Sequence, residues 1–177
     1  MRQLLLLRHA KSSWDDPQAV DRDRPLDQRG RLAAETMRRA MAELGLAPDL
    51  VLVSPARRAL QTLEALEPWE EAPLIEQLEQ LYLATAPQIL ATLNGVPETV
   101  RSAMLIGHNP GMHDLALLLA GSEVARTDAA RRLATSFPTA ALAEFSISRL
   151  WRQLDVGGAR LVRFISPRGL STRGEHA

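Results

Sequence analysis

Four consecutive leucines, Leu4–Leu7, form the first apolar run of the chain, and the run stops abruptly at Arg8 and His9. Because the run is short, continuously apolar and ended by charge, it predicts a strand that is buried on both faces. Two similar runs follow, DLVLVS (residues 49–54) and SAMLIGH (residues 102–108). Strands of this kind are typical of parallel sheets that helices cover on both sides.

Helical patterns separate these strands. Apolar residues recur at helical spacing over residues 30–45, and Gly45 provides a stop. Further helices are predicted over residues 55–66, 86–96 and 111–121, a short strand over 73–78, and two late strands over 139–148 and 159–166, paired through DVGG (155–158). Ser122–Trp151 is the region with the weakest helical or strand pattern. The order predicts an α/β fold, a three-layer α/β/α sandwich with a mostly parallel central sheet.

Composition narrows the classes of function. The 177 residues suit a single domain spanning residues 1–177, and 46% hydrophobic residues indicate a globular chain. Because 21 basic residues balance 21 acidic ones, nucleic acid is not an expected partner. The lack of cysteine excludes disulfides and thiolate chemistry, and no apolar run reaches the ~20 residues of a membrane span. We expect a soluble, cytoplasmic monomer without membrane contact, whose last eight or so residues, including His176, form a mobile tail.

Charged side chains follow three of the predicted strands directly. Arg8 and His9 follow the first, Arg57 and Arg58 lie just beyond the second, and His108 follows SAMLIG. In open α/β sheets, ligands bind beyond the carboxyl ends of the strands. If these strands are parallel neighbours, two histidines and at least one arginine converge on one edge of the sheet.

This combination of side chains suits phosphoryl transfer. Arginine presents a planar fork of donors that matches phosphate oxygens. A neutral histidine nitrogen can act as a nucleophile and form a phosphoenzyme, provided that the other ring nitrogen carries the proton. Fixed cationic donors around the transferring group stabilise its charge. The sequence offers no carboxylate cluster for a metal, so neither a metal nor another cofactor is expected.

Four segments carry a resemblance to a known family. LRHAK (residues 7–11), SPARRALQT (54–62), GHNPG (107–111) and RPLDQRGRLAA (24–34) resemble the signature blocks of the histidine phosphatase, or phosphoglycerate mutase-like, superfamily. Their order and spacing agree over roughly residues 1–120. The short chain, with little inserted between the blocks, is most similar to the SixA branch of phosphohistidine phosphatases. The resemblance implies a phosphoglycerate mutase-like fold.

The resemblance also implies roles for individual residues. His9 would be the nucleophile, and Arg8 and Arg58 would clamp the phosphoryl oxygens. His108 would complete the pocket and donate a hydrogen bond to the phosphoryl group in the transition state. Ser12 is a candidate phosphate donor, because the Ser-x-Trp continuation occurs in some members of the family.

The sequence departs from the family pattern at three places. Ala10 replaces the usual glycine, and Asp15 stands where some relatives have asparagine, so the phosphate contact of that asparagine is not expected here. The family's general acid has no clean match. Glu76 and Glu79 are the candidates, and Glu79 is preferred because Leu81–Tyr82 follow it.

The lack of a clear general acid affects which class of substrate is expected. An alkoxide leaving from a phosphate ester needs a proton in the transition state, whereas imidazole leaving from phosphohistidine needs less help. The leading hypothesis is therefore a metal-independent phosphatase that acts on phosphohistidine in a signalling or phosphotransfer protein. The alternatives are a phosphatase of small phosphorylated metabolites, a mutase, and a phosphoprotein-binding module without turnover.

Other polar and aromatic residues have structural interpretations. We expect Arg57 to face solvent, His113 to have a structural rather than a ligand role, and Trp69 and Trp151 to be packing residues. Trp14 either closes over the pocket or covers the adjoining loop, and the sequence favours neither.

Overall fold

The computed structural model of the chain describes residues 1–122 and 126–174. Within these ranges the elements are, in chain order, β1 (Arg2–Arg8), α1 (Gln28–Glu43), β2 (Leu50–Val53), α2 (Arg57–Ala65), β3 (Leu74–Gln77), α3 (Ala86–Asn94), β4 (Ser102–Gly107), α4 (Gly111–Ala120), α5 (Asp128–Thr135), β5 (Leu142–Ile147), β6 (Arg160–Ile165) and α6 (Pro167–Gly174). Short 3₁₀ turns occur at Asp21–Asp23, Glu79–Leu81 and Trp151–Gln153.

The strands form one six-stranded sheet in the order β3-β2-β4-β1-β5-β6. The first four in this order are parallel to one another, whereas β5 runs antiparallel to both of its neighbours. Strand β4 lies between β1 and β2, with Arg8 opposite Gly107 and Val53 opposite Ile106. This register aligns the carboxyl ends of the three strands, and the predicted mostly parallel sheet is confirmed.

Two apolar cores lie on opposite faces of the sheet because side chains alternate along each strand. On one face Leu5 and Leu7 pack with α1 and α2, and Leu170 of α6 joins them. On the other face Leu4 and Leu6 pack with α3, α4 and α5. All four leucines are fully buried, and such burial stabilises by about 1.5–3 kcal/mol per side chain. The predicted three-layer α/β/α architecture is therefore confirmed.

The C-terminal part of the chain differs from the prediction in two places. Helix α5 lies inside Ser122–Trp151, where the sequence pattern was weakest, and α6 occupies much of the segment expected to be a tail. Leu170 of α6 packs against a core cluster, and the mobility of the tail stays a prediction. The end of that tail, residues 175–177 with His176, lies outside the described residues, as do residues 123–125. The two late strands pair as predicted, although a 3₁₀ turn precedes DVGG in their connection.

Two glycines allow loops near the carboxyl edge to lie against helices. A Cβ on Gly30 of α1 would lie 2.1 Å from the carbonyl oxygen of Lys11. A Cβ on Gly111 of α4 would lie 1.9 Å from the carbonyl oxygen of Ala84. Only glycine permits such an approach of two backbones. These contacts fix the loops that follow β1 and β3.

None of the helices in the described residues combines the length and the apolar character that crossing a bilayer would require.

Candidate active site

The carboxyl edge of the sheet brings two histidines together. His9 follows the last residue of β1 and donates its backbone N–H to the carbonyl of Gly107, at 3.0 Å. His108 follows Gly107 at the end of β4, and the centroids of the two imidazole rings lie 5.0 Å apart. Both rings are buried. The parallel register of β1 and β4 is thus what places two residues 99 positions apart side by side.

Hydrogen bonds around His9 define its tautomer. Nδ1 lies 2.7 Å from the carbonyl oxygen of Ala10, which can only accept a hydrogen bond, so Nδ1 carries the proton. Nε2 is then unprotonated, and its lone pair accepts a long hydrogen bond from Nε of Arg58. The backbone N–H of Ala10 donates to the Thr62 hydroxyl, which donates in turn to the carbonyl of Arg58. This chain of contacts couples the position of His9 to α2.

The guanidinium of Arg58 lies between the histidines and a carboxylate. One edge faces the rings: Nε is 3.4 Å from Nε2 of His9, and Nη2 is 3.3 Å from Nδ1 of His108. The other edge binds Asp21, with Nη1 donating to the backbone carbonyl at 2.7 Å and Nη2 to Oδ2 at 3.0 Å. Arg58 is almost completely buried. Asp21 therefore holds the outer edge of the guanidinium and leaves its inner edge directed at the imidazoles.

Asp21 itself is held by further residues. The Tyr82 hydroxyl donates to Oδ2 of Asp21, and Arg24 forms an ion pair with Oδ1 at 3.3 Å. Partial burial raises the pKa of the Asp21 carboxyl, but hydrogen bonds from Tyr82 and Arg58 outweigh this effect and leave the pKa below its usual value. Asp21 is therefore a carboxylate at neutral pH.

Arg8, the last residue of β1, directly precedes His9 and acts on its ring electrostatically. Its Nη1 donates to the carbonyl of Phe137 at 3.0 Å, and the Asn109 side chain donates to the same oxygen at 2.9 Å. The buried Nε of Arg8 has no hydrogen-bond partner in the described part of the chain. Burial, and then the positive charge of Arg58, lower the pKa of Arg8. An unpaired buried donor is costly, and an anion would provide the missing acceptor.

Burial keeps both imidazoles neutral. It lowers the pKa of His9 to about 3, with contributions from the positive charges of Arg58 and Arg8. It lowers the pKa of His108 to about 4, and Arg58 adds to this effect. At neutral pH the site therefore contains two uncharged rings beside two permanently charged guanidinium groups.

The low pKa values of the histidines predict that acid weakens the fold. Between about pH 6.5 and pH 4 the unfolded chain protonates histidines that the folded protein keeps neutral, so the free energy of unfolding falls as the pH falls. The expected slope is up to about 1.4 kcal/mol per pH unit for each of His9 and His108. Urea unfolding at pH 7, 6 and 5 measures it. The His108→Gln variant should show a shallower dependence, and an unchanged slope would contradict the prediction.

Two residues proposed from sequence lie apart from this cluster. Glu79 forms a two-pronged ion pair with Arg22, at 2.7 and 2.8 Å, and its side chain is 70% exposed. The hydrogen bond from Arg22 is the main cause that lowers the pKa of Glu79. The alternative acid, Glu76, lies exposed on the edge strand β3. Neither carboxylate contacts the histidines or Arg58 among the described residues.

The structure also shows where Ser12, Arg57 and His113 lie. Ser12 pairs through its backbone with Leu26 and is buried, and its phosphate-donor role stays a prediction. Arg57 is exposed, as expected. His113 lies 2.7 Å from the carbonyl of Leu133 through Nε2, so it connects α4 to α5 and has a structural contact.

Two of the three tryptophans pack against the cores, and the third is exposed. Trp151 is fully buried in one core, and Trp69 packs against the other. Trp14 is 75% exposed, and the Arg24 guanidinium lies over its ring at 3.5 Å. Trp14 therefore covers Arg24, a partner of Asp21, and joins the rim of the site.

Sequence reasoning missed four contributors to the site, namely Ser54, Thr62, Asp21 and Tyr82. Ser54 follows β2 directly, so the strand-end argument that identified the histidines applies to it as well. Thr62 lies one helical turn after Arg58, a spacing that places both on one face of α2. Asp21 had no distinguishing signal, because it belongs to a loop with several other aspartates.

Within the described ranges, no group of three or more histidine, aspartate or glutamate side chains is arranged to hold a metal ion.

The sheet order, the two helical layers and the histidine pair at the carboxyl edge define a phosphoglycerate mutase-like α/β fold. A model of the histidine phosphatase superfamily, branch 1, matches residues 4–81. An uncharacterized protein of Mycobacterium tuberculosis is 36% identical over 168 residues, which cover 92% of this chain and 100% of the relative. The chain belongs to the histidine phosphatase superfamily.

Solved structures place it near the SixA proteins. The SixA structure from Agrobacterium tumefaciens matches with a TM-score of 0.80 and 31% identity, over 94% of this chain and 98% of the other. A protein histidine phosphatase SixA in complex with tungstate matches with a TM-score of 0.76 and 26% identity, over 95% and 99% of the two chains. These similarities support a phosphatase of the histidine phosphatase type.

Proposed function

We propose that the protein is a metal-independent phosphatase that works through a phosphohistidine intermediate on His9 and removes phosphate from phosphohistidine in another protein. One observation carries the proposal. The Nε2 lone pair of His9 lies beside the guanidinium of Arg58, while Ala10 holds the proton on Nδ1. This is the arrangement that an imidazole nucleophile needs beside a bound phosphoryl group.

The proposed reaction has two steps. Nε2 of His9 attacks phosphorus, and the bond from phosphorus to the substrate nitrogen breaks. The departing imidazole, whose other ring nitrogen already carries a proton, keeps the electron pair and leaves as a neutral ring. A water molecule then attacks the phosphorus on His9, which regenerates the free imidazole and releases inorganic phosphate. Arg8 and Arg58 stabilise the charge on the phosphoryl oxygens in both steps, and the unpaired Nε–H of Arg8 supplies one donor.

The state of the nearby carboxylates favours phosphohistidine over an ordinary ester. Asp21 and Glu79 both have lowered pKa values, so neither carries a proton to donate at neutral pH. An alkoxide leaving group needs such a proton, whereas an imidazole that already carries a proton on its other ring nitrogen leaves as a neutral ring and needs less help. A SixA relative described as a protein histidine phosphatase is consistent with the same substrate class.

The proposed partner is a phosphorylated protein side chain. Exposed side chains lie on the loops after β1 and β3. Trp14 stacks on Arg24 and Leu83 follows Tyr82, and both are available for contact with a protein surface. A small phosphorylated metabolite is the alternative substrate. A cytoplasmic location and a monomeric state are parts of the proposal, and light scattering of the purified chain tests the second.

Brief reaction with radiolabelled phosphohistidine protein, followed by denaturation, tests the proposal. We expect an acid-labile, base-stable label on the peptide that contains His9. Parallel assays with phosphoserine and a sugar phosphate compare substrate classes, and kcat/KM for phosphohistidine should exceed the others by at least about 100-fold. Equal rates on esters would contradict the substrate assignment. Absence of label on His9 at every substrate would contradict the mechanism, and binding without turnover would identify a phosphoprotein-binding module.

Removal of the Glu79 carboxylate is expected to have little effect. Because Glu79 is exposed and paired with Arg22, Glu79→Gln should retain kcat for phosphohistidine within about 3-fold. Steady-state kinetics at pH 7 measure this, with Gln80→Ala as a neighbouring control. A loss of 100-fold or more in Glu79→Gln alone would restore the sequence-based assignment of Glu79 as the general acid.

A further inference from the structure

A tight turn precedes strand β5 and lies against the end of β1. It spans Pro138–Ala141 and is closed by the backbone N–H of Ala141, which donates to the carbonyl of Pro138 at 3.1 Å. The third residue of the turn, Ala140, is fully buried and has a φ of +59°. Among the described residues, Leu83 is the only other residue with a positive φ that is not glycine. Because a Cβ strains this conformation, the third position of such a turn favours glycine or asparagine.

The turn changes how β5 pairs with the end of β1. In a regular antiparallel ladder, Ala141 and Arg8 would exchange two hydrogen bonds. Here the N–H of Arg8 donates to the carbonyl of Ala141 at 3.1 Å, but the N–H of Ala141 is used inside the turn. The N–H of Ala140 takes its place, and lies 3.1 Å from the carbonyl oxygen of Arg8 and 3.2 Å from that of His9. One donor therefore holds two consecutive carbonyl groups of the site.

The residue before the turn holds a side chain of the site. The carbonyl of Phe137 accepts hydrogen bonds from Nη1 of Arg8 and from Nδ2 of Asn109. Arg8 is thus held twice, through its main chain by Ala140 and through its guanidinium by Phe137. The segment between α5 and β5 therefore positions both the arginine and the histidine that end β1.

The methyl group of Ala140 supplies a contact that glycine would lack. It belongs to a small buried apolar cluster with Ala10, Leu26 and Ala34. Since glycine would adopt a φ of +59° without strain, an alanine at this position points to a role for the methyl group. Ala10 is also the residue whose carbonyl holds the proton on Nδ1 of His9. The cluster therefore supports the residue that sets the tautomer of the nucleophile.

We propose that Ala140 is a positioning residue for His9. Its N–H fixes the carbonyls of Arg8 and His9, and its methyl group completes the cluster that contains Ala10, so that the imidazole of His9 keeps one orientation. A small displacement of a nucleophile is enough to slow a reaction severalfold or more. The kinetic part of this inference rests on the proposed function, whereas the hold on the ring and on its Nδ1 proton is a property of the free protein.

Hydrogen exchange of the Nδ1 proton of His9, followed by NMR of the ¹⁵N-labelled protein at pH 7, tests the positioning directly. Loss of the signal in His9→Gln assigns it. The Ala140→Gly variant should fold, because glycine accepts the backbone conformation without strain. We expect its His9 proton to exchange with solvent at least about 10-fold faster than in the wild type, because the turn becomes looser and the methyl group is lost. Unchanged exchange in Ala140→Gly would overturn the proposal, whatever the substrate of the protein.

Kinetics test the consequence for turnover. In Ala140→Gly, kcat for a phosphohistidine protein should fall about 10-fold, with KM changed less than about 3-fold. The control is Ala34→Gly, which removes a methyl group of the same cluster from helix α1 and should keep both kcat and the exchange rate of the His9 proton. An equal fall of kcat in the two variants would indicate a general loss of packing and would refute the role of Ala140. Faster exchange in Ala140→Gly, in a protein whose wild type turns over no substrate, would support the positioning of His9 and contradict only the proposed function.

Discussion

His9→Gln is expected to lower kcat for a phosphohistidine protein by about 10⁴-fold or more, because it removes the ring nitrogen that we propose accepts the phosphoryl group. Glutamine offers polar atoms of similar reach, but its amide does not form a stable covalent phosphoryl intermediate. The label that the wild type acquires should be absent from the variant. Quenched-flow measurement with radiolabelled substrate gives both the rate and the labelled fraction.

The same variant separates an enzyme from a binding module. A binding protein would keep its affinity for the phosphorylated partner and show no turnover in either form, whereas the proposed enzyme loses only turnover. His113→Gln is the matched control, because His113 has a backbone contact to Leu133 and lies outside the site. Retention of more than a tenth of wild-type kcat in His9→Gln would show that another group accepts the phosphoryl group.

The sequence predicted the central strands β1, β2 and β4 most directly because they are buried on both faces, whereas the edge strand β3 is exposed. The leucine run of β1 and the apolar run of β4 are short and continuously apolar, and polar residues follow them directly, so they indicate buried strands. Helix α6 was missed because its sequence, PRGLSTRG, is polar and contains two glycines. Its position depends on packing against α1, which is a tertiary contact that local sequence does not report.

The site was predictable to the extent that it lies on strand ends. His9 and His108 each follow a strand directly, and Arg58 lies in the first turn of α2, so the topology of the sheet determines their meeting. Asp21 reaches the site from a loop whose path depends on contacts such as the approach of Lys11 to Gly30. A carboxylate near a phosphate site is unfavourable on physical grounds, because its negative charge repels phosphate. The structure resolves this difficulty by placing Asp21 behind Arg58.

The position of Asp21 makes a further prediction about Arg58. In Arg58→Lys the positive charge remains, but one ammonium cannot bind Asp21 and face both imidazoles, as the two edges of the guanidinium do. We expect kcat to fall about 10²- to 10³-fold, a loss typical of removing a fixed donor at the transferring group. Steady-state kinetics measure it, and Arg57→Lys, on the exposed side of the same turn, is the control.

Asp21→Asn should reduce kcat less than Arg58→Lys does. The backbone carbonyl of Asp21 still holds Nη1 of Arg58 in this variant, whereas the charged side-chain contacts to Nη2 of Arg58 and to Arg24 are weakened. Because removal of a negative charge also favours anion binding, KM should stay constant or fall while kcat decreases. A rise in KM with unchanged kcat would instead mean that Asp21 contacts the substrate. If Arg58→Lys retained wild-type kcat, charge alone would suffice, and the orientation of Arg58 by Asp21 would have no role in the chemistry.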